Sequence, residues 1–238
     1  MTADEAIAEL RQHANPKNVE GMARFGISSS GTLGISLPTL RAIARRCGRD
    51  HALALALRDS GIHQAKHVAV MVEDPKTVTK KQLESWVRDL DSWDVCDGFS
   101  MGFVDRTPFA YDLAMKWSHD KREFVKRAAF ATMAGLAIHD KKAPDENLLQ
   151  FLPVIRREAG DDRNFVRKAV NWALRQIGKR NLACNAAAIP CAEQIRADGT
   201  KSGRWIASDA LRELRSDAVQ ARLRAAAAKS RAAKRARR

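Results

Sequence analysis

Apolar residues along the chain recur three and four positions apart, and few stretches alternate residue by residue. This spacing places apolar side chains on one face of an α-helix, whereas alternation would indicate a strand. Asn15-Pro16 and Asp74-Pro75 interrupt the pattern, because proline cannot continue a helix. The fold class is therefore predicted to be all-α. The first predicted helices cover residues 3–14, 17–25, 38–47, 51–58 and 62–72.

After Pro75 the chain becomes repetitive. The segment Arg122–Ala128 reappears as Arg163–Ala169, with Phe124 and Phe165 lying 41 residues apart. Each copy follows a shorter predicted helix. An earlier unit has the same arrangement, with a first predicted helix over residues 79–90 and a second over residues 91–104. Two helices per unit at a period of about 40–47 residues are typical of HEAT or armadillo repeats. We expect HEAT-like repeats stacked into a curved right-handed solenoid, whose second helices line a concave basic groove suited to a long ligand.

The charge is concentrated at the C-terminus. Residues 218–238 hold eight Lys or Arg and no acid, within a chain of net charge +14. Residues 1–217 are predicted to form a single HEAT-like domain, and 218–238 a basic tail that is disordered alone, since it shows no apolar face. A basic body with a more basic tail indicates a polyanionic partner, most often nucleic acid. A tail that only improves solubility is the alternative.

Several function classes find no support in the sequence. The chain has no Walker loop and no G-x-G-x-x-G. His63 and His67 share a helical face, but no Glu follows His63 and no third ligand is apparent, so we expect structural or surface histidines and no metal.

Compartment and membrane association follow from the cysteines and from the apolar runs. The four cysteines form no C-x-x-C pair and are expected to be free thiols in a reducing cytosol. The acidic N-terminus resembles no secretory signal. The longest apolar run, 52–57, is far too short to cross a membrane. A cytoplasmic protein without a membrane partner is expected.

The stretch Asp91–Asp97 carries the candidate chemistry. Asp91 or Ser92 can cap a helix start, and Asp94 suits the helix dipole. Asp97 lies one turn after Trp93, on the same helical face. A single helical Trp more often belongs to the core, but two indoles (Trp93 and Trp172), a carboxylate and Arg127 on the lining of a basic groove suit a deoxyribose that acquires positive charge.

These residues resemble the bacterial DNA alkylation repair family, the AlkD-like HEAT-repeat glycosylases for 3-methyladenine and 7-methylguanine. The resemblance implies that Asp97 is the catalytic carboxylate, that Trp93 and Trp172 hold the lesion nucleotide, and that Arg127 contacts phosphate. It also implies that no metal or organic cofactor is needed. This chain has Ser92 where some members carry a second Trp, and Phe25 where well-known members carry Tyr. The matching segments are Asn15-Pro16, 22–25, Gly34-Ile35 with Pro38 and Arg41, 92–97, 124–129 and 165–175.

The predicted function is therefore excision of positively charged N3- or N7-alkylated purines from double-stranded DNA, by a protein expected to be a monomer. A non-catalytic binder of damaged or branched DNA is the second hypothesis. A protein-binding HEAT scaffold is the third, because the repeat alone does not dictate function. Further DNA contacts are predicted at Lys168, Arg175, Phe25, Arg41 and Lys126.

Overall fold

The computed structural model describes residues 1–236 of the chain, and every regular element in that range is helical. The all-α fold class predicted from the apolar spacing is confirmed. The chain divides into two compact units, Met1–Phe109 and Ala110–Arg238. A single HEAT-like domain over residues 1–217 stays a prediction.

The first unit consists of seven α-helices and one 3-10 turn, counted over residues 1–109, which are all described. Side-chain caps set several of the helix starts: Thr2 and Glu5 form a capping box on the first helix, and Asn15 caps the second. Such caps satisfy N–H groups that the first turn of a helix leaves unpaired. The helices are α1 (Ala3–Gln12), α2 (Pro16–Ala23), α3 (Leu37–Cys47), α4 (His51–Asp59), α5 (His63–Val72), α6 (Lys80–Arg88) and α7 (Trp93–Ser100), with the 3-10 turn at Val104–Arg106.

Helix α5 is the centre of the first unit. It packs against α3, α4 and α7. Its apolar residues Ala65, Val68 and Val72 are fully buried, and the polar side chains of His63 and His67 are buried as well. A helix that is buried on most of its circumference contacts neighbouring helices on several sides, and these contacts position the neighbours. The position of α7, where the candidate chemistry lies, therefore depends on α5.

Helix α7 is shorter than the predicted helix over residues 91–104. It ends at Ser100 because the chain turns at Gly102, whose φ of 111° lies in the left-handed region that favours glycine. Ser92 is the N-cap residue, as the sequence suggests, but its side chain makes no capping hydrogen bond. Its hydroxyl instead donates to the carboxylate of Asp94. The first turn of α7 is thus fixed by side-chain contacts rather than by a cap.

The second unit has eight helices within the part of it that the structure describes. No helix among residues 1–236 combines the length and the apolar character that a membrane span requires. The helices of this unit are α8 (Ala110–Trp117), α9 (Glu123–His139), α10 (Glu146–Leu149), α11 (Phe151–Glu158), α12 (Asn164–Gly178), α13 (Leu182–Ala197), α14 (Lys201–Leu214) and α15 (Asp217–Ala236).

The repeat predicted from the sequence is visible in the contacts of the second unit. Helix α12 packs against both α9 and α14. Helix α8 packs on α9, α11 packs on α12, and α13 packs on both α12 and α14. Arg175 donates to the carboxylate of Glu213, 38 residues further along, and Arg127 donates to the carbonyl of Phe165 across the same interval. Neighbouring second helices thus meet at side chains 38 residues apart, three fewer than the repeat offset, as expected when successive repeat units stack on each other.

One predicted helix of this unit is divided in two. The sequence predicts a helix over residues 144–157, whereas the structure has α10 and α11 meeting at Gln150. Pro153 explains the break, because it donates no backbone hydrogen bond and its ring crowds the carbonyl of Leu149. In α11, Pro153 falls in the first turn, where its missing N–H is tolerated.

The C-terminal segment is helical where the sequence analysis expects a disordered tail. Helix α15 begins at Asp217, and Val219 and Leu223 are 8% and 2% exposed. One helical turn separates these two residues, and α15 packs against α13 and α14. These two residues form a short apolar face, which explains why this part of the predicted tail is ordered. Residues 224–226 are exposed, and positions 237–238 of the predicted tail lie outside the described residues.

Candidate functional site

Trp93 opens α7 and is held by the chain that follows α2. Its indole Nε1 donates to the carbonyl oxygen of Phe25 at 3.0 Å. Phe25 is 71% exposed, whereas Trp93 is half-buried. A backbone acceptor fixes the indole plane independently of the side chain at position 25. The structure therefore brings together two of the predicted site residues, Trp93 and Phe25.

Asp97 lies one turn after Trp93 on α7 and is half-buried. The four-residue interval puts both side chains on one helical face, as the sequence predicts. A half-buried carboxylate beside an indole is in an environment less polar than water, where its charge acts over a longer range. This pair can therefore stabilise a positive charge that develops close to it.

A second carboxylate on α7 is fully engaged within the protein. Asp94 Oδ2 accepts hydrogen bonds from His63 Nε2 at 2.8 Å and His67 Nε2 at 3.1 Å, and its other oxygen accepts from Ser92. Burial works to raise the pKa of Asp94, but the hydrogen bonds and charges of the two histidines outweigh it and hold the pKa well below its ordinary range. Asp94 therefore anchors α7 to α5, a role that the sequence analysis did not identify.

Arg127 is the most buried of the predicted DNA contacts. It lies on α9 with 6% exposure and donates from Nη1 to the carbonyl of Phe165 at 2.7 Å. The guanidinium also lies 6.0 Å from the centre of the Phe165 ring, which packs against Phe124. These contacts tie α9 to α12. A phosphate contact by Arg127 stays a prediction.

Trp172 and two predicted phosphate ligands share a face of α12. Lys168, Trp172 and Arg175 follow one another at intervals of four and three residues, the spacing of neighbours on one helical face. Lys168 is exposed and Trp172 is half-buried. Arg175 forms ion pairs with Glu213 at 2.9 Å and Asp209 at 3.5 Å. Of the two cations on this face, Lys168 is the more accessible to a phosphate.

The remaining predicted contacts have different surroundings. Arg41 is exposed on α3. Lys126 lies between Glu158 and Asp161. Burial tends to raise the pKa of Glu158, but its bonds to Lys126 and Arg157 lower the pKa overall. A phosphate would have to displace these carboxylates before it could reach Lys126, so Arg41 is the simpler surface contact.

One aromatic and cationic pair was not singled out from the sequence. The Arg167 guanidinium lies 4.7 Å from the centre of the Trp205 ring, and Trp205 is 39% exposed. The pair joins α12 to α14 across 38 residues, the interval that also separates Arg127 from Phe165 and Arg175 from Glu213. This interval is three residues shorter than the repeat offset, so the repeat is the sequence signal that could have revealed the pair.

Comparison with known proteins identifies the family. A family model described as DNA alkylation repair enzyme matches residues 6–214. The uncharacterized protein Lin0241 of Listeria innocua is 25% identical over 130 residues, which is 53% of this chain and 58% of that protein. A solved structure from a new family related to the HEAT-like repeat DNA glycosylases, with affinity for branched DNA structures, has the same fold: the TM-score is 0.73 at 17% identity, over 81% of this chain and 83% of that one. The extent of the family match shows that this chain belongs to the DNA alkylation repair enzyme family.

Proposed function

We propose that this protein is a monofunctional DNA glycosylase that excises positively charged N3- or N7-alkylated purines from double-stranded DNA in the bacterial cytosol. The observation that carries the proposal is the pairing of Trp93 with Asp97 on one face of α7. The neighbouring Asp94 accepts hydrogen bonds from two buried histidines of α5 and so fixes the helix that carries this pair. Asp97 is the carboxylate placed beside an indole.

The reaction requires little more than one fixed negative charge. The bond between C1′ of the deoxyribose and N9 of the purine breaks, and its electron pair neutralises the cationic base. Asp97 stabilises the positive charge on the sugar and orients water, which adds to C1′ and gives its proton to the carboxylate or to solvent. Because the base leaves as a neutral molecule, the second carboxyl group that glycoside hydrolases use as an acid is unnecessary.

The remaining residues are assigned to binding. Trp93 and Trp172 would hold the sugar and backbone of the lesion nucleotide through their indole faces. Lys168 and Arg175 on α12 would contact phosphates, as would Arg127. Phosphate contacts of this kind position a protein on the duplex without reading its sequence. Phe25, Arg41 and Lys126 complete the proposed DNA contacts, and the protein is proposed to act as a monomer without a cofactor.

The decisive experiment is single-turnover release of 7-methylguanine from duplex DNA at saturating protein. Asp97→Asn removes the charge and keeps the shape, and Asp91→Asn is the matched control, because Asp91 is mostly exposed. Loss of one preorganised electrostatic group typically slows the chemical step by roughly 100- to 1000-fold. We expect a loss of this size for Asp97→Asn, no change for Asp91→Asn, and unaltered DNA affinity for both variants.

Binding of branched DNA without base excision is the second candidate function. The solved structure of similar fold is described as having affinity for branched DNA structures, and it is this observation that favours the alternative. The test is competition between a four-way junction and a linear duplex of equal length at one salt concentration. Preference for the junction, with no release of 7-methylguanine or 3-methyladenine above the spontaneous rate, would replace the glycosylase proposal with this one.

A further inference from the structure

Three metal-binding side chains converge between α5 and α7 in the first unit. His63 and His67 stand one turn apart on α5, and Asp94 comes from the first turn of α7. One donor atom from each side chain lies within 4.8 Å of the other two. The His63 and His67 side chains are 5% and 9% exposed, and that of Asp94 is 16% exposed. The cluster is therefore almost enclosed, with the carboxylate as its most accessible member.

The distances between the donor atoms are close to those of a metal coordination sphere. Zn²⁺ binds imidazole nitrogen and carboxylate oxygen at about 2.0–2.2 Å, which in tetrahedral geometry separates the ligand atoms by roughly 3.3 Å. Asp94 Oδ2 lies 2.8 Å from His63 Nε2 and 3.1 Å from His67 Nε2. Both imidazoles direct the same nitrogen towards one oxygen. Small rotations of the two rings would let an ion enter between the three atoms.

The surroundings hold these ligands in place. Ser92, which is 1% exposed, donates its hydroxyl hydrogen to the Asp94 oxygen that does not face the histidines. Carboxylates that bind metals are commonly held by a hydrogen bond of this kind. Gly98 lets α7 approach closely, because a Cβ atom at that position would lie 3.3 Å from His67 Nδ1. The ligand geometry is thus set by both helices.

We propose that His63, His67 and Asp94 form a binding site for a divalent transition-metal ion, with Zn²⁺ as the ion to which the donor set is best suited. Two imidazoles and one carboxylate favour such an ion over Mg²⁺ or Ca²⁺, which prefer oxygen ligands. Water would complete the coordination. The bound ion would fasten α7 to α5 and so hold the helix that carries Trp93 and Asp97. Metal binding at these three residues does not depend on whether the protein excises bases.

The test uses the full-length protein, stripped with a chelator and titrated with Zn²⁺ by calorimetry and by competition with a chromophoric chelator. We expect one ion per chain in the wild type. His67→Gln and Asp94→Asn remove ligands, and His119→Gln, at an exposed position, is the matched control. Loss of a hydrogen-bond partner of a ligand typically weakens metal binding 10- to 100-fold, so Ser92→Ala should lose about that much and the ligand variants more.

Co²⁺ provides a second readout on the wild type, which keeps the test valid if a variant does not fold. Binding at the proposed site should give visible d–d bands without a thiolate charge-transfer band. A thiolate band would place the ion at a cysteine such as Cys47 and overturn the proposal. Retention of full Zn²⁺ affinity by folded His67→Gln and Asp94→Asn would overturn it too. No binding by the wild type would leave the three residues as a hydrogen-bonded cluster only.

Discussion

Replacing Asp94 with Asn tests whether this carboxylate anchors α7. Asp94 accepts two hydrogen bonds from buried histidines and one from Ser92. Hydrogen bonds to a charged group contribute about 1.5–3 kcal/mol each, against about 0.5–1.5 kcal/mol for neutral pairs. Asn keeps the shape and one acceptor oxygen but loses the charge. We therefore expect Asp94→Asn to lower the free energy of unfolding by about 2–4 kcal/mol.

The assay is urea unfolding of wild type and variant at neutral pH, followed by circular dichroism and extrapolated linearly to water. A chelator is present, so that no bound metal contributes. Asp91→Asn is the control, because Asp91 lies just before α7 and forms an ion pair with Lys66 in which the Asp91 side chain is 59% exposed. Such pairs contribute about 0–1 kcal/mol. If Asp94→Asn costs no more than Asp91→Asn, the anchoring role is refuted.

The pH dependence supplies a check on the same residue. The pKa of Asp94 in the folded protein lies well below its ordinary value of 3.8. The stabilisation is therefore fully present above the unfolded pKa and is lost as the pH falls through the folded one. The stability difference between wild type and Asp94→Asn should persist at pH 5 and shrink only under strongly acidic conditions. A difference that vanished near pH 5 would show that the Asp94 carboxylate is not held in its charged form.

Three further predictions concern the second unit. Gly178→Ala should destabilise the protein by about 1–3 kcal/mol, measured by thermal unfolding, because the new Cβ would lie 2.7 Å from the Leu214 side chain and 2.9 Å from the Cβ of Ala188. Deleting residues from Arg224 onwards should weaken non-specific DNA binding without changing the free energy of unfolding. Deletion from Ala218 onwards should also lower the free energy of unfolding, because it removes the buried residues Val219 and Leu223. Lys168→Ala should reduce the slope of log affinity against log salt by about one.

Most of the helical architecture could be predicted from the sequence, since it depends on local signals. Apolar periodicity located α9 and α12, and the copies containing Phe124 and Phe165 located the repeat. In the structure these two rings lie 5.5 Å apart, as equivalent positions of stacked repeats should. The missed break at Gln150 had a visible cause in Pro153. The prediction of a disordered tail was wrong. Its two apolar residues, Val219 and Leu223, are too few to form a periodic pattern, but both are buried where α15 packs against α13 and α14.

The candidate site could be predicted only in part, because its contacts join distant segments. The interval between Trp93 and Asp97 is a helical property and was readable. The interval between His67 and Asp94 is 27 residues, and no local pattern relates them. Arg127 also shows this limit: its position in the repeat suggested a surface cation, but contacts with Phe165 keep it buried. Which polar residues of a repeat helix face inward is decided by the neighbouring repeat.

The contrast between Asp94 and Asp97 explains how one short helix can serve both stability and the proposed chemistry. A catalytic carboxylate contributes most when it is held in position before the charge develops, so that no reorganisation is needed during the reaction. Asp97 lies in the second turn of an eight-residue helix, which is too short to be stable by itself. The hydrogen bonds of Asp94 to α5 and of Trp93 to the Phe25 carbonyl supply the missing rigidity from outside the helix. Asp94→Asn should therefore reduce excision through a mispositioned Asp97, and added Zn²⁺ should not restore it, because the same substitution removes a metal ligand.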